Sequence, residues 1–152
     1  MTDKVKLKQG TWVLVCDDKK ALLFQNAGDH VYPKLETRKV MEHDVHRSRD
    51  LGSDAPARSA SGRGGPHAAM DEGDPHREEE VHFLRVVAGE LGHRVGAHEI
   101  TDLVIVAPAR ALGILRELLD KHVHGVTRAE LAHDYVKLPV YEIEKHLQHA
   151  SA

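Results

Sequence analysis

From Glu42 to His76 the chain reads EHDVHRSRDLGSDAPARSASGRGGPHAAMDEGDPH, and Val45, Leu51 and Met70 are its only large apolar side chains. A stretch so poor in apolar groups cannot supply an element of a hydrophobic core. It is also far longer than the connections compact domains ordinarily use, about 4–6 residues, and loops of such length are typically functional or unstructured. The core must therefore be built from the two blocks that flank it, and whatever is particular to this protein is expected in or around the insertion.

The block before the insertion reads as strands. Thr11 to Asp17 and Ala21 to Gln25 are short apolar runs of strand-favouring residues, joined by the polar Asp17-Asp18-Lys19-Lys20 at hairpin length. After the turn signal Asn26-Ala27-Gly28-Asp29, Val31 to Met41 alternates and reads as a third strand, completing an antiparallel meander. Trp12 and Phe24 are assigned to the core. In the block after the insertion, Asp74 can cap a helix that Pro75 opens, with Glu78, Glu79 and Glu80 at the positive end of its dipole. Val81, Leu84, Ala88, Leu91 and Val95 form its apolar stripe and Gly96 its stop. Asp102 to Ala107 is continuously apolar, the pattern of a strand covered on both faces. Pro108 starts a second helix bearing Leu112, Leu115, Leu119 and Val123. Thr127 to Val136 is the last strand, and a short helix after Leu138-Pro139 carries Val140, Ile143 and Leu147. The order β-β-β, insertion over 44–76, α-β-α-β-α predicts one α/β domain over 1–152. Its centre is a mixed five-stranded sheet flanked by helices. Strand order is left open.

Composition narrows the function classes. A chain of 152 residues suffices for one domain with a real core. A net charge of -3 with neutral histidine argues against attachment to nucleic acid through bulk positive charge, and DNA is not an expected partner. The single cysteine, Cys16, cannot form an internal disulfide, which points to a reducing cytoplasm, and its place in a strand makes it a buried, inert thiol. MTDKVKLKQG has no secretory apolar run, and no stretch approaches the ~18 apolar residues of a membrane helix, so membrane insertion is not expected. The 13 histidines are scattered. Neither His43/His46 nor His122/His124 is completed by a cysteine or carboxylate at zinc spacing, so neither metal nor cofactor is expected.

Within the insertion the chemistry-bearing groups are His46, Arg49, Asp50, Ser53, Arg58, Arg63, Gly64, Gly65, His67 and His76. From Asp44 to Pro66 four arginines face three aspartates, the balance of a solvated mixed-charge loop with local positive charge. Gly62-Arg63-Gly64-Gly65 can bring backbone N–H groups close to an anion, but without a preceding strand it is not a nucleotide-binding fingerprint, and such a run is more often a linker. His76 falls on the first helical turn within reach of Glu79 or Glu80. Serines beside histidines in sequence do not make a triad, and no nucleophile is presented.

The succession WVLVCDDKKALLFQNAGD, HRSRDLGSDAPARS, GGPHAAMDEGDPHREEEVHFLRVVAGEL, DLVIVAPARALGILRELL and HDYVKLPVYEIEKHL resembles the bacterial host attachment protein family from about Thr11 to Leu147. The most specific pieces are Arg49-Asp50-Leu51-Gly52-Ser53-Asp54 with Arg58, and Asp74-Pro75-His76. The resemblance implies a cytoplasmic bacterial protein, named for a role in attachment and without an assigned reaction. That family is in turn similar to the central domain of archaeal and eukaryotic peptide-chain release factors, which implies an RNase H-like sheet. In release factors a loop ending in Gly-Gly-Gln, between the meander and a long helix, works at the peptidyl-transferase centre. Here Gly64-Gly65 is followed by Pro66, which has neither a side-chain amide nor an N–H to donate. The resemblance thus implies the fold and a translation-related ancestry, and it counts against peptidyl-tRNA hydrolysis.

The leading expectation is a non-catalytic module that meets the ribosome or a structured RNA through residues 46–76. Arg49, Arg58 and Arg63 would contact phosphate and Gly64-Gly65 would allow close approach. Two alternatives stand beside it. One is a hydrolase-type enzyme with a pocket built from His46, Asp50, His67 and His76. The other is an attachment-related protein acting through a protein partner, for which an exposed apolar patch would be the sign.

Overall fold

The computed structural model describes residues 5–43 and 75–150. The strands are β1 (Trp12–Cys16), β2 (Lys20–Asn26), β3 (Leu35–Glu42), β4 (Leu103–Ala107) and β5 (Thr127–Ala132), and the helices are α1 (Pro75–Gly96), α2 (Ala109–Leu118), α3 (Lys121–Val126) and α4 (Val140–His149). They build one mixed sheet in the order β3-β2-β1-β4-β5. The first three strands are antiparallel, whereas β4 runs parallel to β1 and β5 parallel to β4. The α/β class, the meander and the five strands are as the sequence leads one to expect.

The period of two along each strand sorts the core into two layers. Trp12, Leu14 and Cys16 of β1, with Leu103 and Ile105 of β4, face α1, α2 and α3. Val13 and Val15, with Val104 and Val106, face the other way, onto Ile143 and Leu147 of α4 and onto Val5 and Leu7 of the N-terminal segment. Every residue of β1 and of β4 is buried, which is why both read as unbroken apolar runs. Trp12 and Phe24 lie in the core. The buried stripe of α1 is Phe83, Leu84, Val87, Ala88, Leu91 and Val95, and Val81 is only half-buried.

Three boundaries differ from the sequence reading, each for a local reason. The third strand begins at Leu35 because Asp29 Oδ1 accepts the N–H groups of Val31 and Tyr32 at 2.9 and 2.8 Å and folds them into a turn. The last strand ends at Ala132, beyond which Leu138 N–H closes onto Tyr135 O at 3.0 Å. The single second helix is two, because Leu119 is extended and Asp120 caps α3, accepting from His122 N and Val123 N at 2.9 and 3.0 Å. α1 ends at Gly96, the stop read from the sequence, and the left-handed position of its exit falls two residues on, at His98 (φ 63°). The proposed Asp74 cap lies outside the described residues. No helix among the described residues is long and apolar enough to cross a membrane.

Candidate functional site

Two antiparallel steps make β3 parallel to β1, so the carboxyl ends of β1, β3, β4 and β5 share one edge of the sheet. β1 is where the order reverses, with its hairpin partner on one side and the crossover strand β4 on the other. In open α/β sheets the crevice outside the carboxyl ends at such a point is the usual ligand site. Here the same edge holds both ends of the 44–74 stretch, since β3 runs out into His43 and α1 begins at Pro75.

Short-range chemistry pins those two ends together. His43 N–H donates to Lys19 O at 2.7 Å, and its ring meets Phe83 of α1 edge-on with centroids 6.3 Å apart. His43 Nε2 is buried without a hydrogen bond, and Glu79 Oε1 is 3.7 Å away, too far for one but close enough to pair with an imidazolium. At the next residue, the buried Glu80 pairs with Arg110 Nε of α2 at 3.0 Å. The β1–β2 turn is locked by Asp17, whose Oδ1 accepts from Lys19 N and Lys20 N at 2.8 Å each.

Among the described residues, two hollows open at this edge. The larger, of about 1000 Å³, lies between the β1–β2 turn with the ends of β2 and β3 and the segment from Asp134 to Val140. It mixes apolar wall (Leu22, Val136, Leu138) with charge of both signs (Asp17, Lys19, Lys20, Asp134, Lys137). The smaller, of about 410 Å³, is lined by Asp18, His76, Glu80, Pro108, Arg110 and Ala111, and Asp18 borders both. Such an arrangement can hold a ligand through several weak polar contacts. Among the described residues no group of three or more His, Cys, Asp or Glu could hold a metal ion. Cys16 ends β1 beneath this edge, fully buried, and burial together with the neighbouring Asp17 charge pushes its thiol up to about 12, so it is not a nucleophile at physiological pH.

Of the residues singled out from sequence, His76 is exposed on the first turn of α1 and borders the smaller hollow with Glu80 and Arg110. His46, Arg49, Asp50, Ser53, Arg58, Arg63, Gly64, Gly65 and His67 lie outside the described residues. His122 and His124 do not converge on a common point: His122 gives its backbone N–H to Asp120, and the His124 ring contacts Arg116 O at 2.9 Å. Sequence reasoning missed His43 as the anchor of the strand end, the Glu80–Arg110 pair, and a stack of rings formed by His133, Tyr135 and His146. A charged residue within the buried phase of a helix, as Glu80 is, was a signal available in advance.

Residues 10–147 match the model of a protein family described as bacterial archaeo-eukaryotic release factor family 12. Among solved structures, the chain is similar to S. cerevisiae Dom34, described as a translation termination-like factor involved in RNA quality control pathways and interacting with Hbs1. The TM-score is 0.40 at 12% identity, over 95% of this chain and 37% of Dom34, so this chain spans little more than a third of that protein. No curated protein matches.

Proposed function

The chain belongs to bacterial archaeo-eukaryotic release factor family 12, and from that premise we propose that it is a non-hydrolytic, release-factor-like module that meets the ribosome or a structured RNA through residues 46–76. The observation that carries the reading is the coincidence of the family with the position of this stretch. It leaves the sheet at His43 and returns at Pro75, both at the carboxyl edge where α/β folds bind ligands. Its sequence supports phosphate contact by Arg49, Arg58 and Arg63, with Gly64 and Gly65 permitting close approach. Pro66 supports binding without hydrolysis, having no amide to set a water against an ester. His46, Asp50, Ser53, His67 and His76 are then contact residues and not an acid–base set. Such a module works in the cytoplasm, with the ribosomes.

The test is co-sedimentation with bacterial ribosomes over a salt series, comparing the intact chain with the Arg58→Ala/Arg63→Ala variant. Saturable binding at low salt should fall as salt rises. In the variant the slope of log affinity against log salt should drop by about 1.4–1.8, since each phosphate contact contributes about 0.7–0.9. Absence of binding at low salt, or equal binding by the two proteins, would overturn the proposal and leave a protein partner as the reading to pursue.

A further inference from the structure

Three rings stand nearly parallel where the chain leaves β5. His133 and Tyr135 have centroids 5.1 Å apart and planes 2° from parallel, and Tyr135 and His146 of α4 lie 4.9 Å apart at 20°. These are the separations of stacked π-systems. The middle ring is half-buried and the outer two are exposed. Because Tyr135 covers one face of each histidine, the accessible area of His133 and His146 is their opposite faces and their edges.

The stack does more than hold the chain to α4. The core on that face is already closed by Val136, Ile143 and Leu147, all buried, so two exposed imidazoles add little burial. The rings border a hollow of about 430 Å³ that Glu142, Lys145 and His149 complete. The location matters too. His133 N–H donates to Ala107 O, at the carboxyl end of β4, and the next residues, Asp134 and Val136, line the larger hollow. One short segment therefore walls both spaces.

We propose that the His133–Tyr135–His146 ladder is a stacking platform for an unpaired base of single-stranded RNA, which lies on the outer face of either histidine and extends the ladder by one ring. The proposal rests on the release-factor-like reading for the nature of the strand, and it adds a second contact, distinct from the arginine-bearing stretch. Stacking of this kind accepts any base, because every base presents a π-face, and it requires the base to be free of a duplex. The ionic surroundings are balanced, with Lys145 set against Glu142, which also lies 4.0 Å from His146. Phosphate attraction at the platform is consequently small, and the ring faces carry the recognition.

The experiment is fluorescence anisotropy of a short fluorescein-labelled oligo(A) strand titrated with the full chain. The intact protein should bind the single strand more tightly than the same strand annealed to oligo(U). His133→Ala/His146→Ala should weaken binding about five- to a hundredfold. His133→Phe/His146→Phe should restore it, and an unfolding midpoint unchanged in the alanine variant should set the platform apart from a merely structural role for the rings. Equal affinity in the alanine variant, failure of the phenylalanine variant to recover binding, or equal binding of the duplex would overturn the proposal. The two readings fail separately. If ribosome co-sedimentation ignores Arg58 and Arg63 while oligo(A) binding still needs the two rings, the arginine reading falls and the platform stands. If co-sedimentation needs the arginines but oligo(A) binding ignores the rings, only the platform falls.

Discussion

Asn26 gives the sharpest test of how the fold is held. It ends β2, is buried, and spends its side chain on three segments at once. Nδ2 donates to Leu7 O at 2.6 Å, with longer contacts to Lys8 O at 3.2 Å and Asp29 O at 3.4 Å. Oδ1 accepts from Lys34 N at 2.8 Å and Gly28 N at 3.0 Å. The turn it serves is tight, since a Cβ at Gly28 would collide with Tyr32 O. Asn26→Ala removes three short hydrogen bonds and strands partners that are buried or half-buried. At about 1 kcal/mol net for each bond, the loss is about 3 kcal/mol. For a domain of this length that lowers the melting midpoint by about 6–12 °C, at about 2–4 °C per kcal/mol. Asn26→Asp separates the two halves of the argument. It keeps the acceptor, loses the donors and sets a charge against carbonyl oxygens, so it should cost at least as much as alanine at pH 7. Urea unfolding with an unchanged m-value is the assay. A loss below about 1 kcal/mol for both variants would refute the view that this side chain knits residues 5–8 to the β2–β3 turn.

Two further predictions concern ionisation. Asp102 is opposed by burial, but hydrogen bonds from Arg128 (2.9 and 3.0 Å) and Thr11 (2.6 Å) outweigh it and hold the carboxyl below its usual range. A depressed folded pKa means stability present above the unfolded value of about 3.9 and lost as pH falls through the folded one. Asp102→Asn should therefore cost about 1–2 kcal/mol at pH 7, after discounting for partial exposure, and the gap from the parent chain should close in acid unfolding as pH falls below the usual carboxylate range. Cys16 has the opposite sign. With the folded thiol near 12, its contribution is intact below the unfolded value of about 8.5 and is lost as pH rises towards 12. The parent should lose up to about 1.4 kcal/mol per pH unit over that window in denaturant titrations, and Cys16→Ala should lose less. At pH 8 a thiol reagent should label the native chain only as it unfolds, and prompt full labelling would contradict the burial.

The sheet and its class were legible because they follow from periodicity. Five apolar runs and two long amphipathic phases survive in any arrangement that buries them, and nearly every apolar residue assigned to the core is there. What failed was set by single polar side chains competing with propensity. Asp29 takes Val31 and Tyr32 out of β3, and Asp120 divides a helical phase that looks continuous through Leu119 and Val123. Strand order could not be read, because the apolar pattern of β1 fits an edge-adjacent or a central position equally. The ring ladder was invisible for a related reason. His133 and Tyr135 are two apart, which only a period-two segment places on one side, and His146 joins them from another element.

The two edges of the sheet differ in where their polar groups find partners. At the amino edge, Thr11, Asn26, Asp102 and Arg128 mostly satisfy one another or the nearby backbone. Trp12 Nε1 is the exception, unpaired although the Arg94 guanidinium stands 5.5 Å over its ring. At the carboxyl edge, His43 Nε2 is buried without a hydrogen bond, while Lys20, Asp134 and Lys137 face an open hollow. Groups already bonded within the fold gain nothing from a ligand, whereas unbonded ones do. Substitutions at Asn26 or Asp102 should therefore move the unfolding midpoint and leave the proposed RNA or ribosome binding intact in whatever fraction remains folded. Substitutions at His133 or His146 should do the reverse. A variant of the amino edge that stays folded but no longer binds would show that the edges are coupled and that the division fails.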